Sequence, residues 1–298
     1  MRVEMATVKS YPTGSIKRPR RSKADIQAIR DVIFEIAQAD HPLTCRQCFY
    51  RLVAAGVIEK TQATYRDTVC RLMAEMRRDG SLPWSWVADS TRVVRRPRTC
   101  HGLGQMLQRS LETYRRAVWD DQPAYVEVWC ESDSVAGVLA DMCRQWDVPL
   151  LSARGFCSVT YLHAAAQAIS VIGKPAFLYY FGDYDPSGLH IDRRIEADLR
   201  EFAPDADLTF TRVAVTADQI EELNLPGAPP KTTDSRTKSF PGGKAVEIES
   251  IASPYLRSMC QNRITSHLDS AVYSALLMTE SAERETLEKL VEGFGQAG

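Results

Sequence analysis

Asp183 and Asp185 stand two positions apart in FLYYFGDYDPSG (177–188), directly after a run of apolar and aromatic residues. Glu131 follows an earlier run of the same kind, AYVEVWC (124–130). Carboxylates gathered at one place repel one another, and they take up protons or destabilise a fold unless a cation neutralises them. Oxygen donors of this type suit magnesium, with manganese as a substitute, because such ions keep several waters and share their shell with substrate phosphates. Gly182 and Gly188 would let the backbone turn closely around an ion. Taken alone, Asp-Pro-Ser-Gly is also ordinary turn chemistry. The pairing with Glu131 makes the three acids a candidate metal centre.

The elements that would position these acids are legible in the apolar pattern. From Tyr125 onward, strand-like and helix-like segments alternate: AYVEVWC, then SDSVAGVLADMCRQW, VPLLSA, VTYLHAAAQAIS and AFLYYF. That rhythm predicts βαβαβ and a parallel sheet, and the near-continuous apolar strands fit a sheet covered on both faces. Functional groups in such sheets collect at the carboxyl ends of the strands. Glu131 ends the first predicted strand, and Asp183 and Asp185 end the third, so the three converge at one edge.

The N-terminal part reads differently. Three segments have helical spacing: KADIQAIRDVIFEIAQAD, ended by His41-Pro42; TCRQCFYRLVAAG, capped by Thr44; and TQATYRDTVCRLMAEMRRDG, capped by Thr61 or Thr64 and ended by Gly80. SLPWSWVADSTRVVRRP then reads as short extended segments. Three helices followed by a strand-like hairpin have the order of a winged helix, a helix-turn-helix variant that docks on DNA. Charge follows the same division. Residues 1–120 carry 22 Lys and Arg against 12 Asp and Glu, and residues 121–298 carry 15 against 26, within a net charge of only −1. A basic half joined to an acidic half fits a nucleic-acid grip attached to a metal site. KRPRRSK (17–23) and RVVRRPR (92–98) are the two basic clusters that phosphate contact would reward. The expected organisation is a basic flexible tail over 1–22, a winged-helix unit over 23–120 and a metal-binding α/β unit over 121–298.

Glu after a first strand and Asp-x-Asp after a later one resemble the Toprim domain of topoisomerases, primases and some nucleases. VPLLSARGFCSVTYL, FGDYDPSGLHI, RVAVTADQIEELNLP (212–226) and GKAVEIESI (243–251) are similar, in order, to successive segments of the A subunit of topoisomerase VI and its meiotic double-strand-break relatives. The resemblance implies an α/β fold with a winged helix followed by a Rossmann-like Toprim sheet. It implies magnesium on Glu131, Asp183 and Asp185, with Glu249 or Glu247 nearby. That family also carries a catalytic tyrosine four residues after an arginine on a winged-helix helix, a spacing that RQCFYRL supplies as Arg46 and Tyr50 on one helical face. A cation beside a tyrosine, whose ordinary pKa is roughly 10, would favour the phenolate or hold the phosphate. Phe49 and Tyr50 as plain core aromatics is the competing reading.

The implied activity is magnesium-dependent DNA cleavage by tyrosine transesterification, on duplex DNA, by a two-fold dimer in which Tyr50 of one chain works with the acids of the other. Two alternatives stay open: a Toprim hydrolase in which water replaces Tyr50, and a non-catalytic DNA-binding module. PGGKA (241–245) lacks the first glycine and final Ser/Thr of a phosphate-binding loop, so ATP hydrolysis is expected from a separate subunit. Cys45 and Cys48 form a CxxC inside a helical pattern with no second CxxC, and the eight cysteines are expected to be reduced thiols. No apolar run approaches the roughly 18 residues of a membrane span, and no secretory leader is visible. A cytoplasmic, nucleoid-associated protein is the expectation.

Overall fold

The computed structural model describes residues 21–88, 99–155, 157–230 and 235–295. The N-terminal helices are α1 (Lys23–Asp40), α2 (Cys45–Ala54) and α3 (Gln62–Thr64), the last running through a π-helical stretch, Tyr65–Cys70, into α4 (Arg71–Arg78). Their boundaries follow local chemistry. Ser22 and Thr44 each form a reciprocal capping box, with Asp25 and Gln47 respectively. Gly56 and Gly80, which end the second and third helices, adopt φ of 69° and 81°, where a side chain would be strained. The apolar faces enclose one core of Ile33, Leu43, Cys48, Tyr50, Leu52, Leu72, Met73 and Met76.

After that core, Trp84–Trp86 forms a 3-10 turn rather than an extended segment. The next residue, Val87, makes a parallel bridge with Leu43. The rest of the expected hairpin, with the basic cluster at 92–98, lies outside the described residues, as does most of the cluster at 17–23. Next, α5 (Leu103–Thr113) packs on the C-terminal helix. The Tyr114 hydroxyl donates to Glu283 Oε2 at 2.5 Å, and the Arg116 guanidinium pairs with Glu283 Oε1 at 2.7 Å.

The remainder is mixed α/β: β1 (Tyr125–Cys130), α6 (Asp133–Gln145), β2 (Leu150–Ser152), α7 (Val159–Ile172), β3 (Ala176–Phe181), α8 (Gly188–Phe202), β4 (Leu208–Ala214), α9 (Ala217–Glu222), α10 (Ser253–Thr265) and α11 (Ser270–Gly295). The four strands form a parallel sheet in the order β2-β1-β3-β4. Strand periodicity divides the side chains between two cores. Val126, Val128, Cys130, Tyr179 and Phe181 pack with α6 and α10 on one face; Trp129, Leu178 and Tyr180 pack with α7 and α8 on the other. The chain leaves β1 toward β2 and leaves β3 in the opposite direction toward β4. A crevice therefore opens at the carboxyl ends of β1 and β3, where such sheets bind ligands. All eight cysteines are free thiols. Among the described residues, no helix is long and apolar enough to cross a membrane.

Candidate functional site

Glu131 is the first residue past β1, and its backbone N–H donates to Phe181 O at 2.9 Å, which fixes it beside the end of β3. Its carboxylate Oε2 accepts from Asp183 N at 2.8 Å. Asp183 Oδ1 accepts from Ile248 N at 2.9 Å, and Asp185 Oδ1 accepts from Gly188 N, the first residue of α8, at 2.7 Å. The segment carrying Glu247 and Glu249 is drawn in by a two-way bridge, Tyr184 N to Val246 O at 2.8 Å and Val246 N to Tyr184 O at 2.9 Å. Glu249 is buried and accepts from the Ser134 hydroxyl at 2.6 Å. The glycines leave no room for substitution. A Cβ at Gly188 would collide with Asp183 O, and one at Gly182 would stand 2.7 Å from Glu131 Oε2.

All five acids line one cavity of about 520 Å³, whose remaining wall includes Arg46 and Lys60 from the N-terminal helical part. Arg46, on the first turn of α2, grips Glu247 with two parallel hydrogen bonds, Nε to Oε2 at 2.5 Å and Nη2 to Oε1 at 2.6 Å. Its guanidinium lies 5.1 Å from the centre of the Tyr65 ring. Lys60 Nζ donates to Pro226 O at 3.2 Å and sits 4.9 Å from the centre of the Tyr50 ring. Arg257 completes the junction by donating to the carbonyls of Asp40, His41 and Pro42. Arg46 and Tyr50 thus reach the acids of their own chain.

Tyr50 belongs to this cluster but not to the cavity wall. It is 2% exposed, edge-on to Phe49, with its hydroxyl beside Glu247. Burial, then the Glu247 charge, push its pKa well up; the Arg46 charge acts the other way and is outweighed. Tyr50 is therefore a core aromatic and a neighbour of the site at once. It is held as the neutral phenol.

Burial raises Glu131 to about 7, with Asp185 and Glu249 adding repulsion and the Asp183 N–H working against them. Burial and the charges of Glu131 and Glu249 push Asp183 well above the usual carboxylate range, and burial also raises Glu249. For Arg46, burial opposes the charge but the Glu247 hydrogen bonds and field prevail, so its pKa rises. Lys60 is lowered, first by burial and also by Arg46, against the pull of Glu247.

The donor set fits a hard divalent cation. The carboxylates are oxygen donors in mutual conflict, and a positive charge would relieve them. Tyr180 adds an orphaned group: its hydroxyl is buried without a partner among the described residues, and it stands with Glu131 Oε2 within 3 Å of the position a Gly182 Cβ would take. Each of Glu131, Asp183 and Asp185 has one oxygen engaged by a backbone N–H. Among the described residues, no group of three or more His, Cys, Asp or Glu side chains stands arranged to hold a metal ion.

No protein-family model matches the chain, and no curated protein matches it in sequence. The geometry stands on its own. It brings together Glu131, Asp183, Asp185, Glu247, Glu249, Arg46 and, behind them, Tyr50. Sequence reasoning missed Lys60, which reads as a solvated lysine in a loop, and Ser134, which reads only as part of a helix start. It also missed Arg212, the one charged residue of the strand LTFTRVA; a charge among apolar and hydroxyl side chains was the available signal.

Proposed function

We propose that the chain is a metal-dependent DNA-cleaving protein of the winged-helix plus Toprim kind. The observation that carries this reading is the single cavity in which five carboxylates face two cations. Magnesium or manganese, held by Glu131, Asp183 and Asp185 with Glu247 and Glu249 close by, would supply Lewis-acid polarisation of a phosphoryl group and charge for a leaving oxygen. Arg46 and Lys60 bind the backbone phosphate. Arg46 is a fork suited to two phosphate oxygens, and it takes up DNA by exchanging Glu247 for phosphate. The N-terminal helices, with the basic segments at 17–23 and 92–98, provide the duplex grip, and two strands to cut suit a two-fold dimer.

With 2% of its surface exposed, Tyr50 is closed to DNA in this conformation, which favours water as the nucleophile and makes hydrolysis the primary reading. Transesterification is favoured by a different observation. Tyr50 and Arg46 share Glu247 as a neighbour, so releasing the Arg46 grip would uncover the hydroxyl next to its arginine. In that case Tyr50 becomes joined to the 5′ phosphate and a 3′ hydroxyl is left.

Tyr50→Phe removes one oxygen and little volume. Under hydrolysis the variant keeps cutting within about threefold of wild type, and denatured reaction mixtures contain no protein-linked DNA. Loss of cutting together with loss of a wild-type covalent adduct would install Tyr50 as the nucleophile. A wild-type chain that binds duplex DNA but never cuts it, with either metal, would leave only a binding module.

A further inference from the structure

Arg212, on β4, divides its guanidinium among the loop that carries the two aspartates, the residue after β4 and a carboxylate on α8. Nη1 donates to Gly182 O at 3.0 Å, Asp183 O at 3.1 Å and Val215 O at 3.2 Å; Nη2 donates to Gly188 O at 3.0 Å; and Nε donates to Asp192 Oδ2 at 2.5 Å. The pair is nearly enclosed, with 13% of the Arg212 side chain and 10% of the Asp192 side chain exposed. Asp192 lies on α8, and its other oxygen accepts from Arg193 N at 2.6 Å, so the anchor is itself held. The underside of the guanidinium lies 5.3 Å from the centre of the Tyr180 ring, on β3.

These partners are not scattered. Gly182 and Asp183 open the loop after β3, and Gly188 closes it. The Asp183 carboxylate projects from a residue whose own carbonyl Arg212 holds. The Asp185 carboxylate rests on Gly188 N, and Arg212 holds the Gly188 carbonyl. One side chain therefore fixes the backbone on both sides of Asp185 and ties it to the end of β4 through Val215. Gly182 is paired with the end of β4 by its own backbone, through Gly182 N to Ala214 O and Val215 N to Gly182 O, both at 2.8 Å; beyond it the carbonyls of Asp183 and Gly188 take Arg212 as a donor, as buried carbonyls need. A planar fork with five N–H groups can meet carbonyls on both sides of the loop and a carboxylate together; a lysine, with one nitrogen, cannot.

We infer that Arg212 is a positioning residue for the carboxylate cavity, setting the relative placement of Asp183 and Asp185 through the backbone between Gly182 and Gly188. The inference rests on the proposal that these acids hold a divalent metal. Arg212 touches no reacting group. It acts through the loop, so its loss is read in the affinity for the ion more than in the rate at saturation.

The test is titration of the full-length chain with Mn2+, followed by electron paramagnetic resonance of the free ion, for wild type, Arg212→Lys and Arg200→Lys. Arg200 is a comparison arginine on α8, half-exposed where Arg212 is enclosed, bonding Glu196 and Leu208 O away from the cavity. The expected result is at least tenfold weaker Mn2+ binding for Arg212→Lys, with DNA cleavage recovering toward wild type at saturating Mn2+. Arg200→Lys should show only a lower thermal midpoint. An unshifted Mn2+ titration in folded Arg212→Lys would overturn the positioning role and leave the metal site standing. A wild-type chain that takes up no Mn2+ would overturn both. If circular dichroism shows Arg212→Lys to be unfolded, Asp192→Asn decides. That change replaces the charged anchor by a neutral amide whose N–H2 must face either Arg212 Nε or Arg193 N, so the anchor is weakened while the loop carbonyls keep their donors. It should weaken Mn2+ several-fold, and unchanged binding would overturn the inference.

Discussion

Glu131 carries its charge at the end of β1 against burial and against the fields of Asp185 and Glu249. The same carboxylate that suits a metal is therefore a burden on the metal-free fold. Replacing it by the near-isosteric amide in Glu131→Gln should abolish cleavage and yet stabilise the protein without divalent cations, by on the order of 1–3 kcal/mol at pH 8. Urea unfolding in a chelating buffer measures the second effect, and a destabilised variant would contradict it. Arg46 presents the opposite balance. Its pair with Glu247 is about one-third exposed on both sides, so solvent screens it and Arg46→Ala should cost only roughly 1 kcal/mol of stability. If the guanidinium also receives the phosphate, the same change should lower kcat/KM for cleavage by about 100-fold or more. Equal, small effects on both quantities would reduce Arg46 to a structural pair.

The turn from β3 into α8 is the element on which the site depends most. Between Phe181 and Gly188 the chain reverses with carboxylates on both flanks, and the glycine at its far end sits against Asp183 O with no space for a methyl group. Gly188→Ala should destabilise by roughly 1–3 kcal/mol and reduce cleavage more than stability, since the intruding atom pushes on the backbone of a candidate ligand. Matched thermal melts and cleavage rates check this. A variant with wild-type melting and wild-type cutting would remove the close approach from the account. The strands and helices around this turn were legible because apolar runs and caps are local: Thr44 and Thr61 cap their helices through Gln47 and Thr64, residues three positions away. Other elements were not local. The π-helical stretch Tyr65–Cys70 keeps helix-like spacing, so periodicity does not mark it. The placement of α5 on α11 depends on contacts such as Tyr114 to Glu283, about 170 positions apart.

Across the whole molecule, acids with raised pKa values set the response to pH. Glu131, Asp183 and Glu249 are raised at the cavity, and Glu127 is raised by burial despite hydrogen bonds from Tyr125 and Trp129. A carboxyl whose folded pKa exceeds its unfolded value favours folding while protonated, so its contribution fades as pH rises. For Glu131 that window runs from 4.5 to about 7. Without divalent cations the melting temperature should therefore fall between pH 5.5 and 7.5, and magnesium should flatten or reverse the slope. A melting temperature that rises over that range in chelator would contradict the electrostatics.

The acids after β1 and β3 were legible in sequence because a parallel sheet places its strand ends together. Glu247 entered only through the resemblance and Arg212 is marked only as a charge within its strand, while Lys60 reaches the site through the packing of distant segments, which no local pattern encodes. The most direct measurement is cleavage of a labelled DNA duplex by the full-length chain in magnesium, in EDTA, and by Asp183→Asn in magnesium. Strand cleavage by wild type in magnesium alone, with none in the other two reactions, is the predicted result. Undiminished cutting by Asp183→Asn, or no cutting by wild type with either magnesium or manganese, would contradict it.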